Sequence, residues 1–205
     1  MKFYFDGCSN TWGAELAEPE VSRYSRIVSE HFGAEEYNVS QRGSSDKKMM
    51  RNLLETDLEP YDYVIVQMTC KNRTEFWDDD KKRWMQLKMD PVSLSKKRGA
   101  AGGYKTLNGS FVWKDYYKHV YTEKLGNINQ LTLYHAMRNV LKDKKHLIIG
   151  INGWGHVIQA PVDMQFTNFK CNNSIKYETA PGGHVNKEGH KIIAEEIIKH
   201  IENHK

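Results

Sequence analysis

The chain has 205 residues, which suits one domain with its own hydrophobic core, or one domain carrying an elaborated insert. Hydrophobic residues make up 39% and charged residues 27%, ordinary for a globular protein in water, and no stretch approaches the ~20 apolar residues of a membrane helix. The formal charge of +4 comes without an arginine-rich stripe, so neither a nucleic acid nor a membrane is expected as a partner.

The first apolar run, KFYFDG at residues 2–7, is short and aromatic and ends on a glycine, which predicts a buried strand. Asp6 interrupts it too early for a secretory signal. The three cysteines, Cys8, Cys70 and Cys171, are odd in number and widely spaced. That pattern argues against a disulfide framework and for a reducing, cytoplasmic setting, or a virion if the source is viral. Next, SRYSRIVSEHFG predicts a helix closed by Gly33, with Tyr24, Ile27, Val28 and Phe32 on one face. EYNVSQRG reads as a second strand entering a glycine loop, and SSDKKMMRNLLE as a capped helix. YDYVIVQMT is a continuous β-branched run, expected to be buried on both faces.

Residues 76–130 fit this rhythm less well. They hold DDDKKR, expected as a solvated loop or helix start, the glycine-rich RGAAGGYKTLNGS, and FVWKDYYKHVY, whose spacing predicts a buried helical face. The stretch reads as an insertion, a flexible loop followed by helical material, that would serve as a lid or cap. KHLIIGIN then predicts another buried strand. VNKEGHKIIAEEIIKHIENH predicts a last helix, capped by Asn186, with Ile193, Ile197 and Ile201 along one stripe. Strands alternating with helices make a parallel sheet wrapped by helices, in a single domain.

Sites in open α/β sheets form at the carboxyl ends of the strands. Ser9, just after the first strand and between Gly7 and Gly13, stands at such a place, as nucleophile or, with Asn10, as a plain helix cap. A serine nucleophile needs a base. His184, in the PGGH loop before the last helix, can lean toward the first strand, whereas His190 within the helix reads as a packing residue. Arg73 and Glu75 follow the third strand and are expected to pair with each other at the cleft mouth, or to meet a substrate. Trp154 and His156 in GINGWGHVIQAP are expected beside the cleft, Trp154 as packing or as a face for a sugar or aryl group. No HxH or HExxH spacing is present, so no metal site is expected.

Four blocks of the chain, in order, resemble the SGNH/GDSL hydrolases. DGCSNTWG resembles the block around the nucleophile, and Gly43 in NVSQRGSSDKKMMRNLL matches the second-block glycine. YDYVIVQMTCKNRTE resembles the strand and loop holding the oxyanion asparagine. GGHVNKEGHKIIAEEI resembles the last block, which carries the histidine. The resemblance covers residues 1–75 and 144–205 and leaves the insertion unexplained. It implies a flavodoxin-like, three-layer α/β/α sandwich with a central parallel sheet of about five strands.

It also implies a serine esterase without metal or organic cofactor. Ser9 would be the nucleophile and His184 the base. Ser9, Gly43 and Asn72 would hold the oxyanion, Asn72 being preferred to Lys71 because an amide donates there without a buried charge. The substrate implied is a small ester, first of all an O-acetyl group on a carbohydrate. Two departures stand out. Cys8 occupies the position of the usual acid in the first block, and Pro181 that of the aspartate that orients the histidine. Glu178 is the nearest acid in sequence that could stand in; otherwise a Ser–His dyad remains. The rival expectation is a catalytically weak or inactive protein of this fold, a structural or carbohydrate-binding part of a larger assembly such as a phage particle.

Overall fold

A computed structural model describes residues 1–88, 116–152, 158–168 and 174–204. Strands β1 (Lys2–Asp6), β2 (Glu35–Asn38), β3 (Tyr63–Met68), β6 (His146–Asn152), β7 (Met164–Thr167) and β8 (Ile175–Lys176) form one sheet in the order β2-β1-β3-β6-β7-β8. Every pairing in it is parallel. The sheet therefore has six strands where the sequence suggested about five. The extra one, β8, is a pair of residues too short to leave a periodic signal.

Side-chain alternation along β1, β3 and β6 builds two cores. Phe3, Phe5, Tyr63, Ile65, Leu147 and Ile149 pack on one face against α3 (Tyr24–His31) and α6 (Lys187–Asn203). Tyr4, Val64, Val66, Met68 and Ile148 pack on the other against α4 (Asp46–Glu55) and α5 (Glu123–Val140). All six residues of β3 are buried, as their apolar run requires. Burying one such side chain contributes roughly 1.5–3 kcal/mol. The layers are thus helix, sheet, helix.

The helix ends follow their capping residues. Ser45 Oγ accepts from the Lys48 N–H at the start of α4, and Asn186 Oδ1 from the Gly189 N–H at the start of α6. Gly189 lets the first turn of α6 lie against backbone, since a Cβ there would sit 2.5 Å from the Glu178 carbonyl oxygen.

DDDKKR is a solvated loop rather than a helix start: its residues 79–82 form the exposed turn between β4 (Arg73–Asp78) and β5 (Arg83–Lys88), an antiparallel hairpin. Glu75, Met85 and Leu87 on the hairpin are buried, so it is packed structure from its first residues. Helix α5 starts at Glu123, within the helical material expected at the end of the insertion, and beyond residue 130 it supplies Tyr134 and Met137 to a core. The glycine-rich segment and FVWKD at residues 111–115 lie outside the described residues, as do Trp154 and His156; Tyr116–Val120 form one helical turn, in which His119 and Val120 are exposed and do not belong to the buried face expected there. No described helix is long and apolar enough to cross a membrane.

His190 is fully buried on α6, and its Nδ1 accepts from the Tyr24 N–H at 3.1 Å. Burial pushes its pKa down to about 3. A depressed folded-state value means that the stability tied to the neutral ring is complete above the unfolded pKa and is lost as pH falls toward the folded one. His190→Gln keeps an acceptor for Tyr24 without a titrating ring. The advantage of wild type over this variant should therefore shrink by about 3 kcal/mol between pH 7 and pH 4. Urea unfolding at the two pH values checks this, and an unchanged difference would refute it.

Candidate active site

The site is built on the turn after β1. Cys8 has extended backbone and is the N-cap of α1 (Ser9–Trp12), which stops at Gly13 in a left-handed conformation (φ 88°). Beneath this turn lies Gln67, a polar residue in the buried strand β3. Its Oε1 accepts from the Cys8 N–H at 3.1 Å, the Cys8 thiol at 3.3 Å and the Thr11 hydroxyl at 2.9 Å. Because Thr11 spends its proton on Gln67, the Tyr24 hydroxyl donates to Thr11, at 2.8 Å. Gly7 leaves room for this cluster, since a Cβ there would lie 2.1 Å from Thr11 Oγ1. Ser9 is 7% exposed, and its hydroxyl donates to Cys8 Sγ at 3.9 Å. Cys8 itself is buried in the core on the α4 and α5 face. Burial pushes its thiol pKa up, but the Arg73 guanidinium and hydrogen bonds from its surroundings outweigh that and hold it below the ordinary value.

The histidine loop is tied directly to this turn. Asn10 Oδ1 accepts from the Val185 N–H at 3.3 Å. Glu15, two residues past Gly13, accepts from the Gly182 N–H at 2.8 Å, the His184 N–H at 3.1 Å and the ring Nδ1 of His184 at 2.7 Å. These bonds, chiefly the one to the imidazole, hold the Glu15 carboxyl below the usual carboxylate range. An ionised carboxylate only accepts, so the proton of the His184 ring is on Nδ1 and Nε2 is left as the basic nitrogen. No hydrogen bond joins Ser9 Oγ to His184 in this state, in which Ser9 faces Cys8. Glu178, the acid nearest in sequence to His184, does not serve the ring: it accepts from Asn186 Nδ2 at 3.3 Å.

The other residues singled out lie at the same edge of the sheet. Gly43 is buried after β2, with φ 80°, where a side chain would be strained. Asn72 is 5% exposed after β3. It borders a narrow recess of about 10 Å³, the room of about one water, with Arg73, Tyr116, Tyr121 and Gln130. Lys71 turns instead to α5, where its Nζ meets Asn127 at 2.7 Å and Glu123 at 2.6 Å. The expected Arg73–Glu75 pair does not form. Glu75 instead takes Arg51, Nε to Oε1 at 2.9 Å. Arg73 points inward and donates to Thr69 Oγ1 at 2.9 Å and the Ser44 carbonyl at 3.4 Å. Asp46 braces these loops, accepting from the Thr69 N–H at 2.8 Å and from Gln130 Nε2 at 3.3 Å, and burial pushes its pKa up to about 7. Among the described residues no group of three His, Cys, Asp or Glu side chains is arranged to hold a metal ion.

The residues that sequence reasoning missed are Glu15, Gln67, Asp46 and Gln130. Gln67 carried a signal, because an amide inside a run buried on both faces has to find partners. The other three carried none.

No protein-family model matches this chain, and no curated protein sequence matches it. Solved structures do. A lipolytic protein of the G-D-S-L family from Desulfitobacterium hafniense DCB-2 is similar over 97% of this chain and 98% of its own, at 12% identity and a TM-score of 0.51. A two-domain esterase active on acetylated mannans, crystallised with mannopentaose, is similar over 99% of this chain at 13% identity and a TM-score of 0.51. A carbohydrate esterase whose active site displays divergent catalytic and non-catalytic binding functions is similar over 98% of this chain, at 10% identity and a TM-score of 0.50. The chain spans 49% of the second protein and 64% of the third. The fold is that of the SGNH/GDSL hydrolases.

Proposed function

We propose that the protein is a serine esterase that removes a small acyl group, first of all an acetyl group, from a carbohydrate. The observation that carries this reading is the meeting of the serine turn with the PGGH loop through Asn10–Val185 and Glu15–His184. Ser9 Oγ attacks the ester carbonyl while His184 Nε2 takes its proton, after the serine hydroxyl turns from Cys8 toward the ring. The oxyanion of the tetrahedral intermediate is held by the backbone N–H groups of Ser9 and Gly43 and by the Asn72 amide. His184 then returns the proton to the leaving sugar hydroxyl, and water hydrolyses the acyl-enzyme by the same route. The likeness in fold to esterases, one of them active on acetylated mannans, supports the choice of substrate.

The test is covalent labelling by a fluorophosphonate, read by intact mass. Wild type should gain one adduct and Ser9→Ala none. A folded wild type that stays unlabelled would refute the esterase reading and favour a binding role for the same cleft.

A further inference from the structure

The aspartate that orients the histidine in SGNH hydrolases has no counterpart at Pro181. We infer that Glu15, contributed from the other end of the chain, is the positioning residue for His184, fixing the ring by its Nδ1–H so that Nε2 faces the serine turn. The inference rests on the esterase reading for its catalytic meaning, though not for the ring geometry.

Three independent observations converge on it. Glu15 makes three hydrogen bonds to the histidine loop, two from backbone N–H groups at Gly182 and His184 and the shortest, 2.7 Å, from the ring. A carboxylate that fixes both the loop and the ring defines position and orientation together. Second, Glu15 has φ 68°, a left-handed conformation uncommon for a residue with a side chain. Such a conformation persists only where surrounding contacts enforce it, and it clusters at functional positions. Third, the histidine loop is shaped around the carboxylate. A Cβ on Gly182 would lie 2.1 Å from Glu15 Oε1 and 2.7 Å from Oε2, so only glycine admits the acid at that distance.

Gly182→Ala therefore provides a second route to the same lesion. The atoms it would strike are the tip of a flexible side chain, so the carboxylate can swing out while the fold is kept. Glu15→Gln retains the size and one acceptor oxygen but removes the charge.

The experiment combines imidazole ¹H–¹⁵N spectra with turnover of 4-nitrophenyl acetate across pH. Wild type should show His184 protonated on Nδ1, and both variants should lose that preference. Their kcat should fall by about 10²–10³-fold with KM little changed, because ring orientation matters to the proton transfers rather than to binding. A role confined to bracing the loop would leave the tautomer unchanged. Unchanged ring spectra in both variants would overturn the inference, as would a wild-type ring protonated on Nε2. A wild type with the Nδ1–H ring held by Glu15 but without fluorophosphonate labelling supports the positioning role and refutes the esterase reading alone.

Discussion

Replacing His184 with alanine should slow turnover of an aryl acetate by on the order of 10⁴-fold or more while leaving the melting temperature within a few degrees of wild type. The two halves of this expectation have separate causes. His184 stands on a half-exposed loop, and its ring is bonded to Glu15, an interaction between groups about one-third exposed that contributes little to stability. The backbone bonds from Gly182 and His184 to Glu15 do not need the ring. The chemistry does need it, because the other basic side chains at the serine turn are Arg42, over Trp12, and Arg73, beside Cys8, and a guanidinium stays protonated and cannot act as a base. Adding imidazole to the variant should restore part of the rate. A variant that turns over as fast as wild type would show that hydrolysis, if present, does not pass through this histidine.

Gln67→Leu should destabilise the protein by about 2–4 kcal/mol, which for a chain of this size lowers the melting temperature by roughly 5–15 °C. Leucine nearly matches the shape of glutamine, so little of the loss comes from packing. It comes from the donors that Gln67 Oε1 satisfies: the Cys8 N–H, the Cys8 thiol and the Thr11 hydroxyl, all in a region without water access. The backbone N–H of Cys8 donates to Gln67 Oε1 and would need another acceptor. The turn carrying Ser9 would relax to find one, so fluorophosphonate labelling of Ser9 should slow more than the loss of folded protein explains. Thermal unfolding and labelling of the same samples test both parts, and a melting temperature equal to wild type would disprove the claim that this amide holds the turn.

Where the fold was legible, the reasons are local. The runs FYF, YVIVQM and HLIIGI are long, apolar and bounded, so burial on both faces of a parallel sheet was the direct solution. Ser45 and Asn186 announced α4 and α6 through side-chain caps, which depend only on neighbours in sequence. The hairpin β4–β5 was missed because DDDKKR reads as a solvated loop or helix start and says nothing of strands on either side of it. What decides it is the pairing of Trp77 with Trp84 and the seating of Glu75 on Arg51, both tertiary facts. In the candidate site, Ser9 and His184 could be proposed because each follows or precedes a recognisable element. Glu15 could not be, because it is one of three acids in GAELAEPE, and nothing local distinguishes it from Glu18 or Glu20. Its partner is 169 residues away, and only the folded chain brings the two together.

That separation has a consequence for timing. On a ribosome the serine turn emerges before the PGGH loop, and β1, lying between β2 and β3, can be enclosed early. The PGGH loop and α6 follow later, and closing a chain segment this long has an entropic cost that α6 recovers only when Ile193, Ile197 and Ile201 dock on the sheet. A nascent chain thus carries the serine turn without its histidine loop, and the joining of the two is a report that α6 has been made and seated.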